Sequence, residues 1–214
     1  MKNLNIISIL AAFIISVTTS SDAGAQEGFI SGMEGGFLFS AAQCGSAGKA
    51  TSLDIAGSTF KVITFYYNGS AVTAVEDASG KRNILFMNGK PNMATSTGKE
   101  YPKVGLSGSQ EMKTNEYTVG PHDFTDDGQP ELVIAVRSAD GEGFAAYVFG
   151  YVGHAWKCLG EMVTAGHDIR SCRVFRQTLT LKDAESGVLY TWTFHEGHFD
   201  FLSSDKENDP SALY

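Results

Sequence analysis

Apolar and polar positions along this chain fall into short runs broken by glycine, with the two-residue period of strands. Phe60 to Tyr67 (FKVITFYY) leads into Asn68-Gly69, and Asn83 to Met87 (NILFM) leads into Asn88-Gly89. Aromatic and β-branched side chains suit a pleated, half-buried surface, and Asn-Gly takes the positive φ angles of a tight hairpin turn with little strain. Glu131 to Val136 turns at Asp140-Gly141, and Phe144 to Val152 turns at Gly153. Val188 to Phe194 turns at Glu196-Gly197 and returns as Phe199 to Leu202. The pattern predicts an all-β fold, an antiparallel hairpin meander in one domain.

The last hairpin fixes its own register. With Glu196-Gly197 as a two-residue loop, His195 faces His198, Phe194 faces Phe199 and Trp192 faces Phe201. Trp192, Phe194, Phe199 and Phe201 then share one face, as a buried aromatic set requires. A weak internal echo accompanies it. Tyr147, Phe149 and Tyr151, followed by Gly153-His154, match Tyr190, Trp192 and Phe194, followed by Gly197-His198, at an offset of 43 or 44 residues. Gly69 precedes Gly153 by 84 residues (153 − 69), near twice that offset. Such a period suits four-stranded β-propeller-type blades, and a plain meander or stacked sheets gives similar spacings.

Helix signals are poor. Ala41 to Gly57 is small and polar with several glycines, and it predicts one turn of helix at most. Ser203 to Tyr214 (SSDKENDPSALY) is polar and charged and is expected to be a disordered tail, so that the β-rich domain spans 26–202.

The first residues change the picture of where the protein works. Lys2 precedes an apolar stretch from Leu4 to Val17, and Ala23-Gly24-Ala25 follows. A basic start, a short apolar core and an Ala-x-Ala end are the parts of a secretory signal peptide, expected to be cleaved after Ala25. The apolar run is about 14 residues against the roughly 20 that a membrane-spanning helix needs. The mature chain, Gln26 to Tyr214, would be periplasmic or secreted, and no later run suggests a membrane span. The formal charge of −8 disfavours nucleic acid as a partner. Cys44, Cys158 and Cys172 allow three single-bridge choices; Cys158 and Cys172 flank a strand connection, and no Cys-x-x-Cys pair suggests zinc.

One stretch carries specific chemistry. In Asp123-Phe124-Thr125-Asp126-Asp127-Gly128-Gln129-Pro130-Glu131, oxygen side chains occupy positions 1, 3, 5 and 9, and glycine occupies position 6. Calcium takes six to eight oxygen ligands, and alternate residues of a curled loop can aim oxygens at one ion. Asp123, Thr125, Asp127 and Glu131 are the side-chain candidates, with the main-chain carbonyl of Gln129 as a fifth. Position 12 is Ile134, which rules out an EF-hand. Followed by Leu132-Val133-Ile134-Ala135-Val136, the loop resembles, in a single copy, the calcium loops of FG-GAP and integrin α-propeller repeats. The resemblance implies a propeller-type blade edge with a structural calcium ion.

Other residues support less. His195 and His198 flank a turn without the spacing of a helical zinc motif, and Ser107 to Ser109 form a flexible recognition-type loop without a nucleophile elbow. Cys44 belongs to no nucleophile signature. Tyr66, Tyr67, Tyr147, Tyr151, Trp156 and Trp192 suit a core by their alternation, although aromatics also line sugar sites. The expectation is an exported, calcium-stabilised binding or interaction protein whose partner is an unspecified protein or a glycan, for instance an inhibitor or immunity-type protein. The alternative is a secreted hydrolase acting on carbohydrate or peptide through a carboxylate pair dispersed in the sequence.

Overall fold

The structure, a computed structural model, describes residues 30–31, 39–40, 49–67, 70–87, 90–92, 95–96, 117–137, 143–165 and 169–206. Every regular element among them is a strand, so the fold is all-β and no helix is long and apolar enough to cross a membrane. The strands form three sheets, none of which closes into a barrel.

The N-terminal sheet is a meander of β3 (Lys49–Ile55), β4 (Ser58–Tyr67), β5 (Ser70–Glu76) and β6 (Arg82–Met87). Short β7 (Lys90–Pro91) and β8 (Thr95–Ser96) both pair with β6. The central sheet runs β9 (Tyr117–His122), β10 (Glu131–Arg137), β11 (Gly143–Val152) and β12 (Ala155–Ala165), with β2 (Phe39–Ser40) on the β9 edge. The C-terminal sheet runs β13 (Ile169–Phe175), β14 (Thr178–Asp183), β15 (Val188–His195) and β16 (His198–Lys206). There β1 (Ile30–Ser31) adds to β13, the one parallel pair among the described strands. Each sheet is thus a four-stranded antiparallel, blade-like meander with short additions, and the three are stacked.

The sequence pattern explains the stacking. On β10, Leu132 and Ile134 pack with Phe60, Val62 and Phe86 of the N-terminal sheet. Val133 and Ala135, pointing the other way, pack with Cys172, Val174, Leu179 and Leu181 of the C-terminal sheet. A strand covered on both faces must be apolar at every position, and Leu-Val-Ile-Ala-Val is. On β14, by contrast, Thr178, Thr180 and Lys182 are half-buried while Leu179, Leu181 and Asp183 are buried. That alternation marks a sheet with one face on the core and one outside. Each leucine, isoleucine or phenylalanine removed from water contributes about 1.5–3 kcal/mol, so the two interlayer cores hold the stack. Two threonines between the N-terminal and central sheets are paired, while the buried indole N–H of Trp156 in the same core has no partner among the described residues. Thr64 and Thr73 share a 2.9 Å hydrogen bond, and Thr73 meets the Tyr117 hydroxyl.

Several expectations shift. Lys49–Ile55 is a strand and not a helical turn. It is the edge of its sheet, so its polar side chains stay solvated and hide the strand signal. β16 continues to Lys206, past the expected domain end at Leu202. A bulge at Leu202 resets the register, after which Ser203 pairs with Thr191 and Asp205 with Leu189. Residues 207–214 of the expected tail lie outside the described residues, as does the expected signal peptide, 1–25. Cys158 and Cys172 are both free thiols. Cys158 packs against the core shared with the N-terminal sheet, and Cys172 lies in the core shared with the C-terminal sheet. Cys44 lies outside the described residues.

Candidate functional site

Alternate turns of a meander fall at the same end of its sheet. Two contacts show that the three sheets share such an end: Gln129, in the β9–β10 loop, accepts the N–H of Ala56 in the β3–β4 turn, and His122, at the end of β9, bonds Arg176 in the β13–β14 turn. The β11–β12 and β15–β16 turns lie there too. Every described non-glycine residue with positive φ sits in one of these turns: Ala56 (52°), Asp126 (58°), His154 (63°), Arg176 (48°) and Glu196 (49°). Positive φ at both central residues of Ala56-Gly57, Gly153-His154 and Glu196-Gly197 is what tight two-residue hairpin turns require.

The Asp123–Glu131 loop is the largest described turn at this end. Asp123 organises it, with Oδ1 accepting the N–H of Asp126 and Oδ2 that of Gly128, both at 2.8 Å. The Thr125 hydroxyl donates to Asp123 Oδ1 at 3.1 Å, and Gln129 N–H donates to Asp127 Oδ1 at 2.8 Å. Gly128, with φ of 77°, makes the reversal that position 6 demands. Glu131 begins β10, only 5% exposed, and its Oε2 accepts the N–H of Phe124 at 2.8 Å. Space for it comes from β11: a Cβ on Gly150 would lie 3.5 Å from Glu131 Cγ and 2.6 Å from Leu159 Cδ1.

Aspartate-organised turns occur elsewhere. Asp77 accepts the N–H groups of Ser79 and Lys81, and Asp183 those of Glu185 and Ser186. Hydrogen bonding, led by the Ser79 hydroxyl, lowers the Asp77 pKa. The Asp123 loop differs because two further carboxylates join the first. Burial, and then the negative charges of Asp123 and Asp127, push Glu131 up to about 7 against the pull of the Phe124 N–H.

The five sequence-predicted residues, Asp123, Thr125, Asp127, Gln129 and Glu131, therefore fall in one loop, held by its own hydrogen bonds. Among the described residues no three His, Cys, Asp or Glu are grouped closely enough to hold a metal as they stand. The donor chemistry nevertheless fits calcium. Asp123 Oδ2, Asp127 Oδ1 and Glu131 Oε2 each accept a main-chain N–H, and carboxylate oxygens are calcium's usual donors. The Gln129 side chain is committed to Ala56, which leaves its carbonyl as the expected ligand.

His195 and His198 face each other across their turn, both exposed, and His198 lies 3.1 Å from Asp200 with no third metal ligand among the described residues. Trp156 and Tyr147 are core residues, and Tyr151 and Trp192 pack against the core. Ser107 to Ser109, and the side chains of Tyr66 and Tyr67, lie outside the described residues. Sequence reasoning missed His122. It is 2% exposed, stands opposite Glu131 in the β9–β10 register, and packs edge-on to Phe124 at 4.5 Å. Its Nε2 lies 2.8 Å from the Arg176 carbonyl, which only accepts, so Nε2 carries the hydrogen; Nδ1 has no partner among the described residues. Its place directly before Asp123 was its one signal.

No protein-family model, curated protein or solved structure matches this chain.

Proposed function

We propose that this chain is an exported binding protein whose β9–β10 loop takes up a structural calcium ion. The observation that carries the reading is that Asp123, Asp127 and Glu131 fall in one loop held by its own hydrogen bonds, with the charges of Asp123 and Asp127 bearing on the buried Glu131. A divalent cation would relieve that repulsion. Asp123, Thr125, Asp127, Glu131 and the carbonyl of Gln129 would hold it, and it would supply charge neutralisation and a fixed loop. The loop touches the β3–β4 turn through Gln129, and His122 directly before it bonds the β13–β14 turn, so fixing the loop would stiffen the shared end of the stack, where a partner could dock on a rigid surface. The FG-GAP resemblance supports the same reading.

The same carboxylates bear on a hydrolase. A general acid needs a raised pKa, which Glu131 has, but it must also reach substrate. Glu131 is buried beneath its own loop, and its carboxylate is occupied by the Phe124 N–H. That arrangement favours a binding role.

The test is the melting temperature of the mature protein, Gln26 to Tyr214, in calcium and in chelator, beside Asp127→Ala. Calcium at a hundredfold excess over its Kd is expected to raise the melting temperature by about 5–10 °C, and the variant to lose that rise. Equal melting in calcium and chelator would reduce the loop to a solvated turn.

A further inference from the structure

We infer that the β13–β14 turn is a preformed recognition tip for a protein partner that presents paired carboxylates beside an apolar side chain. The inference deepens the binding-protein reading above and rests on it.

Phe175 is a large apolar side chain left 54% exposed at the end of β13. Arg173 and Arg176 bracket it, their guanidinium carbons 5.8 Å and 5.4 Å from its ring centroid. Both arginines are exposed, and neither has a carboxylate partner among the described residues. A guanidinium stacked on a ring is held in a plane with its fork of donors outward, which is the geometry that takes a carboxylate through two parallel hydrogen bonds.

The turn beneath is held at every carbonyl. Phe175 O accepts the Thr178 hydroxyl at 2.7 Å, Arg176 O accepts His122 at 2.8 Å, and Gln177 O accepts the Phe194 N–H at 2.7 Å. These bonds come from β14, the central sheet and β15 in turn. They hold Arg176 at a φ of 48°, which arginine rarely adopts. A ligand meeting this tip pays little ordering cost, because the backbone is already fixed. Arginine and aromatic side chains on a rigid support are what interface hot spots are made of.

The neighbouring turns select the class of partner. The exposed Asp126 and Asp127 lie in the loop that leads out of His122, and Glu196 lies in the turn just beyond Phe194. A uniform polyanion, whether nucleic acid or an acidic polysaccharide, would be repelled by those acids and by the net charge of −8. A protein surface can set carboxylates against the arginines and basic groups against the flanking acids.

Short random peptides displayed on phage and selected on the mature wild-type protein, with Arg173→Ala/Arg176→Ala as the counter-target, test this. Recovered peptides are expected to carry two or more Asp or Glu beside an aromatic or aliphatic residue. Synthetic copies are expected to bind the double variant and Phe175→Ala at least about tenfold more weakly than wild type, with all three proteins melting within a few degrees of each other. The inference is overturned if no binder emerges, if binders lack acidic residues, or if they bind wild type and the variants alike. It is also overturned if polygalacturonate binds wild type as tightly as the peptides and loses affinity in the same variants. The calcium response of melting is read separately, so failure of the calcium site and failure of this tip are distinguishable.

Discussion

The side-chain oxygen of Gln129 accepts the N–H of Ala56, 73 residues earlier in the chain, and so ties the acidic loop to the first turn of the N-terminal sheet. The contact is exposed, so water can replace it when it is lost. Gln129→Ala is expected to lower stability by about 0.5–1.5 kcal/mol in urea unfolding. Its melting response to calcium should survive, because the proposed ligand is the main-chain carbonyl. Loss of that response with the side chain would show that the loop is positioned by Ala56.

Glu131 predicts a pH dependence in chelator. Its carboxyl titrates near 7 in the folded protein against an ordinary value of 4.5. Between those values the native state holds the proton and the unfolded chain has lost it. The native state thus binds more protons, and stability falls as pH rises. The contribution is complete below about 4.5 and gone above about 7, and amounts to something on the order of 2–3 kcal/mol. Urea midpoints measured from pH 4.5 to 8 should decline in wild type more steeply than in Glu131→Gln, which keeps an acceptor for Phe124 but has no proton to lose. Saturating calcium should flatten the wild-type decline.

The join between the central and C-terminal sheets has a tight point at Gly160. A Cβ there would lie 2.6 Å from Phe199 Cδ2 and 3.1 Å from Phe199 Cβ. Phe199 is itself locked edge-on against Phe124 and Phe194, at 4.9 Å and 5.2 Å. Gly160→Ala must displace that ring, and a loss of about 1–3 kcal/mol is expected. A loss below half a kcal/mol would mean that the two sheets slide more freely than the packing implies.

The described thiols should be inert. Burial raises Cys158 to about 11 and raises the fully buried Cys172 further, so neither is a thiolate near neutral pH. Ellman's reagent should leave both unmodified in the native protein and react with both after unfolding in urea. Rapid native labelling of a peptide containing either cysteine would contradict the packing.

Much of the fold could be read from local chemistry. The two-residue turn at Glu196-Gly197 dictates the pairing of Phe194 with Phe199 and Trp192 with Phe201, and the structure has those pairs, but Phe201 on the edge strand is 56% exposed and not part of a buried set. The echo between Tyr147-x-Phe149-x-Tyr151 and Tyr190-x-Trp192-x-Phe194 joins the third strands of consecutive meanders, β11 and β15. The echo from Gly69 to Gly153 joins unlike places, because one follows a second strand and the other a third. Lys49–Ile55 was illegible because an edge strand owes its shape to a neighbour and not to its own side chains. Within the site, Asp123 to Glu131 could be found by spacing. The roles of His122, Gly150 and the Arg173–Phe175–Arg176 tip could not, because each depends on a residue from another strand or sheet.

The short strands β1 and β2 set an order of assembly. Ile30, wholly buried, pairs beside Cys172, 142 residues later (172 − 30), and Phe39 pairs with Val119. The first two described strands thus lie in the C-terminal sheet and then the central sheet, ahead of the strands of the N-terminal sheet. Neither short strand has anything to pair with until most of the polypeptide has been made. Closing so distant a pair is among the slowest moves a chain makes. Ile30 and Phe39 are therefore made early and seated late, and the C-terminal and central sheets each wait on a strand from far upstream.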